Sequence, residues 1–160
     1  MKKVYLMPQL VKGGKYIFGW TIIKENGKIK IPEEAYFEYN FDKDKNGILI
    51  SGRKTSGGFG LSSRGLMEKS PIGKLLESFA ELTNHQLKEG EIVKIKEKKY
   101  SWITIFKDKS FIISESALKS FKIKINQKLL TGRGSGLALA FIVKGPIYEE
   151  AKKHPEIPTF

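Results

Sequence analysis

Arginine is scarce in a chain that carries 29 basic residues among its 160. It occurs at Arg53, Arg64 and Arg133, and two of the three sit among glycines, in SGRKTSGGFG and TGRGSG. A guanidinium offers a planar fork of donors that suits phosphate or carboxylate. Neighbouring glycines let backbone N–H groups converge on an anion. Gly52, Arg53, Gly132, Arg133, Gly134 and Ser135 are therefore candidate anion-binding residues, with the hydroxyls of Ser51, Thr55 and Thr131 as further donors. The alternative reading is structural: Arg53 and Arg133 brace the fold by pairing with carboxylates such as Glu33 and Glu115.

A dinucleotide fold does not fit these stretches. The spacing around Arg133 is G-x-G-x-G, and in the earlier stretch Gly57, Gly58 and Gly60 fall where a helix would have to run. Each glycine would cost such a helix about 1 kcal/mol. No Gly-Lys-Ser/Thr follows either, so a Walker loop is excluded. With no cysteine there is no disulfide, thiolate zinc site or cysteine nucleophile. His85 and His154 lack ligand-spaced partners, so no metal is expected. Glu33-Glu34 and Glu149-Glu150 stand beside helix starts, where carboxylates complement the dipole. No nucleophile has a base at a telling spacing, and neither an enzyme nor a bound cofactor is expected.

The two Gly/Arg stretches belong to a longer echo. A shift of 82 residues carries Trp20 onto Trp102, Ile23 onto Ile105, Ile31 onto Ile113, Glu33 onto Glu115 and Ala35 onto Ala117. A shift of 80 then carries Leu49 onto Leu129, Gly52 onto Gly132, Arg53 onto Arg133, Arg64 onto Lys144 and Gly65 onto Gly145. Rare Trp and Arg fall into register with the apolar pattern, which marks residues 10–67 and 92–147 as a duplicated unit. Arg64 and Lys144 join the candidate cations on that ground.

Each unit must position its Gly/Arg stretch with the same elements. Aromatic-rich strands are expected over Tyr16–Ile23 and Tyr100–Phe106, followed by turns at ENGK and KDKS. Asn26-Gly27 favours a hairpin because both residues tolerate positive φ. Short strands at Ile29–Ile31 and Phe111–Ile113 lead into one or two helical turns in PEEAYFEYNF and SESALKSFKI. Pro32 suits the first helical position of one, and Ser114 the cap of the other. Apolar strands at Ile48–Ile50 and Leu129–Leu130 then reach the Gly/Arg stretches. Between the units, residues 68–91 read as an amphipathic helix with Ile72, Leu75, Leu76, Phe79 and Leu82 on one stripe. GPIYEEAKKHP predicts a short closing helix.

The formal net charge is +12. A field of that sign attracts polyanions, although scattered surface lysine also serves solubility and guards strand edges. No apolar run approaches the roughly 18 residues that span a bilayer, and Pro8 and Gln9 break the apolar start. No membrane partner is expected, and the expected location is cytoplasmic.

NGKIKIPEEAYFEYNF followed by an apolar strand resembles the AbrB/SpoVT/MazE pattern, in which a Gly-basic-x-x-Ile-Pro strand enters a short helix. KDKSFIISESALKSFKIKINQKLL keeps that shape without the proline. The resemblance covers residues 20–50 and 102–130. It implies a swapped-hairpin β-barrel, usually built from two chains, that binds DNA through basic residues on the hairpins and helix start. Lys28 and Lys109 match the basic residue before the Ile-Pro strand, and Lys119 approximates one of the helix pair, whose counterpart is missing from EEAYFEY.

The expected fold is thus α+β and mainly β, a single compact domain over residues 1–160 in which two ββα-type units form a pseudo-two-fold barrel, with both tryptophans near its core. The expected function is a DNA-binding transcriptional regulator of AbrB-like type that grips duplex phosphates, as a monomer or homodimer. The alternative is a module that binds a small phosphate- or nucleotide-like anion with its two Gly/Arg loops.

Overall fold

The computed structural model describes residues 16–68, 88–134 and 137–160. Most of the expected connecting helix, Ser135 and residues 10–15 lie outside them. The strands are β1 (Ile17–Ile22), β2 (Lys28–Lys30), β3 (Asn46–Ser51), β4 (Phe59–Ser63), β5 (Val93–Ile95), β6 (Lys98–Thr104), β7 (Ser110–Ile112), β8 (Lys128–Arg133) and β9 (Leu139–Ile142). The helices are α1 (Glu33–Glu38), α2 (Arg64–Glu68), α3 (Glu115–Ser120) and α4 (Pro146–Ala151). The chain is mainly β, as its β-branched and aromatic content requires.

Seven strands form one antiparallel sheet in the order β1-β8-β9-β4-β3-β6-β5, while β2 and β7 form a separate ribbon. The pairing crosses between the halves of the chain. β1 pairs with β8, β6 with β3, β2 with β7, and β4 with β9. The Asn26-Gly27 turn forms, with Gly27 at φ 82° and its amide donating to the Lys24 carbonyl at 2.8 Å. It does not close a ladder between β1 and β2, however. After one further bond, Lys24 N–H to Lys28 O, the strands part and β2 joins β7.

The sheet is open, where a closed barrel was expected. Its β1 edge is taken by the C-terminal segment: Trp20 N–H donates to Pro158 O at 2.8 Å, and Phe160 N–H to Trp20 O at 2.7 Å. The other end is the three-residue strand β5, whose lysine-rich surroundings suit an exposed edge.

The short helices form where their caps predict. Ser114 Oγ accepts from Ala117 N–H at 3.1 Å, and Pro146 opens α4. Pro32 is the N-cap of α1 rather than its first helical residue, because its ψ of 135° is still extended.

The main core lies between the sheet, the β2–β7 ribbon, α1 and α3. Phe59 is its centre: its ring stacks on Phe141 at 4.8 Å and Phe121 at 5.6 Å, and meets Phe111 edge-on at 6.2 Å. The tryptophans are buried, but on the other face of the sheet. Trp20 packs with Ile17, Leu130, Ile142, Ala151 and Ile157. Trp102 packs with Ile48, Met67 and Tyr100. Strand alternation explains this placement, since Tyr100 and Trp102 point one way while Ser101 and Ile103 point the other.

Phe59→Ala empties the middle of the aromatic stack and is expected to lower unfolding free energy by about 3–5 kcal/mol. A denaturant midpoint displaced at constant m-value checks this; a near-neutral substitution would mean that the stack is not the centre of the core.

Candidate functional site

The ladder decides what the two arginines can do. Trp20 faces Leu130 and Trp102 faces Ile48, so Leu130 stands where Ile48 stands. Likewise Arg133 faces Leu139 as Ser51 faces Phe59. The 82-residue shift therefore continues through β3 and β8, and the two-residue difference falls in the loops after them. Arg133 ends a strand, whereas Arg53 lies in the loop beyond Ser51. The expected equivalence of Arg53 and Arg133 does not hold in the ladder.

Arg133 is a brace. Its Nε and Nη2 bond Glu38 at 2.7 and 2.6 Å, and its guanidinium lies 4.5 Å from the Tyr16 ring centre. The Glu38 hydrogen bonds push its pKa further up. The structural alternative is thus met for Arg133, but through Glu38 rather than Glu33 or Glu115. Thr131 is likewise occupied, its Oγ1 donating to Gly19 O at 2.7 Å. Gly132 is buried in β8 opposite Ala140.

The hairpin cations are also engaged. Lys28 Nζ bonds Asp108 at 2.8 Å, and that bond, with a second from Ser110, holds the Asp108 carboxyl below its ordinary range. Lys109 Nζ lies 3.9 Å from Glu33 and 5.8 Å from the ring centres of Tyr36 and Phe37. Arg64 bonds Glu68 at 3.2 Å within α2. Lys119, in the last turn of α3, and Lys144, after β9, are exposed.

Arg53 differs from all of these. It is exposed, and among the described residues its side chain has no carboxylate partner. Its loop is closed by Gly52 N–H to Gly58 O at 3.1 Å and by Gly57 N–H to Arg53 O at 2.7 Å. Gly57 and Gly58 both take positive φ, 63° and 65°. A Cβ on Gly58 would also strike the Phe141 carbonyl, so the glycine pair lets the loop turn back tightly against β9.

This loop and Gly134 line one cleft of about 540 Å³, within the range of small-molecule sites. A single row of residues makes the cleft. Tyr100 faces Ile50, Ile50 faces Gly60, and Gly60 faces Ala140 across four strands. Side chains in such a row share one face of the sheet. Two large residues followed by a glycine and an alanine leave that face hollow. Phe59, Met67, Leu137, Ala138 and Ile142 complete the apolar lining.

Among the described residues, charge enters the cleft only as cations: Arg53 and Lys98 line it, and no carboxylate does. Lys98 Nζ reaches Ser51 O at 3.3 Å, which draws it toward the Arg53 loop. Burial pushes the Tyr100 phenol up, favouring its neutral form here. Gly52, Arg53 and Gly134 are thus brought together, while Arg64, Lys28, Lys109, Lys119 and Arg133 are not part of the cleft. Reading the sequence missed Lys98, Met67 and Tyr100. The alternation in KEKKYSW places Lys98 and Tyr100 on one strand face, but strand partners are needed to bring them beside Ile50 and Gly60.

No protein-family model, curated protein or solved structure matches the chain. Among the described residues no helix is long and apolar enough to cross a membrane.

The tyrosines around the Arg133 brace yield a pH test. Tyr16 and Tyr39 are pushed up to about 12 from 10, first by burial and then by Glu34 and Glu38 respectively. Raised folded-state values mean that their contribution to stability is whole below pH 10. It is lost as pH climbs from 10 toward 12, where the unfolded tyrosines ionise first. Tyrosinate absorbance should show late-titrating groups that are lost in a Tyr16→Phe/Tyr39→Phe double variant, and that variant should lose less stability over the interval.

Proposed function

We propose that the chain is a binding module for a small organic anion held in the cleft between the loops that follow β3 and β8. The observation that carries this reading is the lining itself: Arg53 and Lys98 are its charged residues, and neither has a carboxylate partner among the described residues. An exposed guanidinium beside an apolar floor offers planar, charged donors to an anion whose body lies on that floor. The test is thermal stabilisation by a panel of octanoate, benzoate, inorganic phosphate and adenosine monophosphate. At least one should raise Tm in the native protein, Arg53→Gln should remove that rise, and Arg133→Lys should keep it. Identical shifts in native protein and Arg53→Gln, or no shift at all, would overturn the reading.

We also infer a second role, binding to duplex DNA, which the net charge of +12 supports. The cations available for phosphates are not the expected Lys28, Lys109 and Arg133, which are paired. They include Lys94, Lys98 and Lys99, on β5 and β6, together with Arg53 and the expected Lys119, which is exposed on α3. Lys94 and Lys99 face one another across the ladder, and neither has an ion-pair partner among the described residues. Binding to a labelled duplex should weaken steeply with salt. Replacing Lys94, Lys98 and Lys99 by Gln should cut the salt slope by about one for each phosphate that is no longer neutralised. An unchanged slope would remove this role.

The resemblance to the AbrB/SpoVT/MazE pattern enters as a third inference, of a tandem swapped-hairpin unit in one chain. It is supported by reciprocal pairing: β1 to β8 matches β6 to β3, and Ile29 faces Phe111 at the middle of the β2–β7 ribbon.

A further inference from the structure

An anion site fixes one end of a ligand, and the lining of the cleft constrains the rest. Building on the anion-binding reading, we infer that the ligand is a monocarboxylate with an unsubstituted apolar body, an acyl or aryl acid, rather than a nucleotide or sugar phosphate.

The floor of the cleft favours such a body. Ile50, Met67, Leu137, Ala138, Ala140 and Ile142 offer methyl and methylene surface to whatever lies on them. A sugar or base brings several hydroxyl, amide or ring-nitrogen groups into a site, and each must find a partner or lose the bonds it made to water. Those groups are normally met by Asp, Glu, Asn, Gln or His, and among the described residues none of these lines the cleft. Among the described residues, the side-chain polar groups of the lining besides the cations are the hydroxyls of Ser51, Ser56 and Tyr100. Of these, Ser51 Oγ already accepts from Lys99 N–H at 3.0 Å. Discrimination against polyhydroxylated ligands follows from that scarcity, since a site without partners rejects polar groups strongly.

The cations complete the match. Arg53 and Lys98, on the loop and the strand, are exposed, whereas the apolar lining residues are half-buried or buried. An amphiphile with a single charged end fits that division, its carboxylate at the guanidinium and its chain along the hollow above Gly60 and Ala140. Gly60 sets the depth, because a Cβ there would come within 3.2 Å of the Ala138 methyl. The hollow thus depends on small residues that can be enlarged without touching the charge.

The experiment titrates the full chain calorimetrically with butanoate, hexanoate, octanoate and decanoate, and in parallel with inorganic phosphate and adenosine monophosphate. Affinity should rise about three- to fourfold for each added CH2 until the hollow is filled. Ala140→Leu and, separately, Ala138→Leu should lower octanoate affinity at least tenfold while circular dichroism and Tm stay native. Arg53→Gln should weaken all the carboxylates alike, leaving the dependence on chain length intact. If phosphate or adenosine monophosphate binds through Arg53 and affinity does not grow with chain length, the carboxylate inference falls while the anion site stands. If none of these ligands binds, both fall. Octanoate binding equally well to both filled variants would place the chain elsewhere and also overturn the inference. Having two filling variants keeps the test decisive if one of them fails to fold.

Discussion

Backbone hydrogen bonding across the two halves is the constraint on which everything else rests. β1 has its ladder partner in β8, and β6 has its partner in β3, so neither half completes its long strands alone. Unpaired N–H and C=O groups are costly once buried. The halves therefore interleave, and the aromatic core forms where they cross. Phe59 and Phe141 come from β4 and β9, while Phe111 and Phe121 come from β7 and the end of α3. The stack is a product of the crossing rather than of either half.

Crossing has a second consequence, which is the division of the cations. The ribbon and α1 bring Lys28 beside Asp108 and Lys109 toward Glu33, pairs that join residues from opposite halves. Arg133, at the end of β8, meets Glu38 of α1 in the same way. These contacts are exposed, and exposed pairs contribute little stability, but they occupy the charges that a phosphate backbone would otherwise meet. Arg53 escapes because its loop is longer and turns back on itself through Gly57 and Gly58. Two arginines that look alike in sequence thus serve different ends, one joining halves and the other facing a cleft.

Much of the local structure was legible from residue patterns. Ser114 announced the cap of α3, GPIYEEAKKHP the short helix α4, and the aromatic-rich and apolar runs the strands. The Asn26-Gly27 turn was also legible, yet its consequence was not, because a turn fixes direction and leaves the strand partner open. The tryptophans mark the same lesson. Their matched spacing revealed an internal echo, but which sheet face each occupies depended on register, and a one-residue change in register reverses the face. The glycine spacing correctly excluded a nucleotide-binding helix, because Gly57, Gly58 and Gly60 are unsuited to one.

Composition, charge and local conformation can be read from the residues alone: a strongly basic, mainly β chain with short helices and two glycine-rich stretches around arginines. These are properties of single residues and their near neighbours, so they survive without knowledge of partners. Long-range pairing is what keeps the sheet open, gives Arg133 to Glu38, and sets Arg53 in a cleft with Lys98. Each of those outcomes depends on residues far apart in the chain being paired in one register. The hollow above Gly60 and Ala140 is the clearest case. Neither residue is unusual where it stands, and the cavity exists because the ladder sets them side by side.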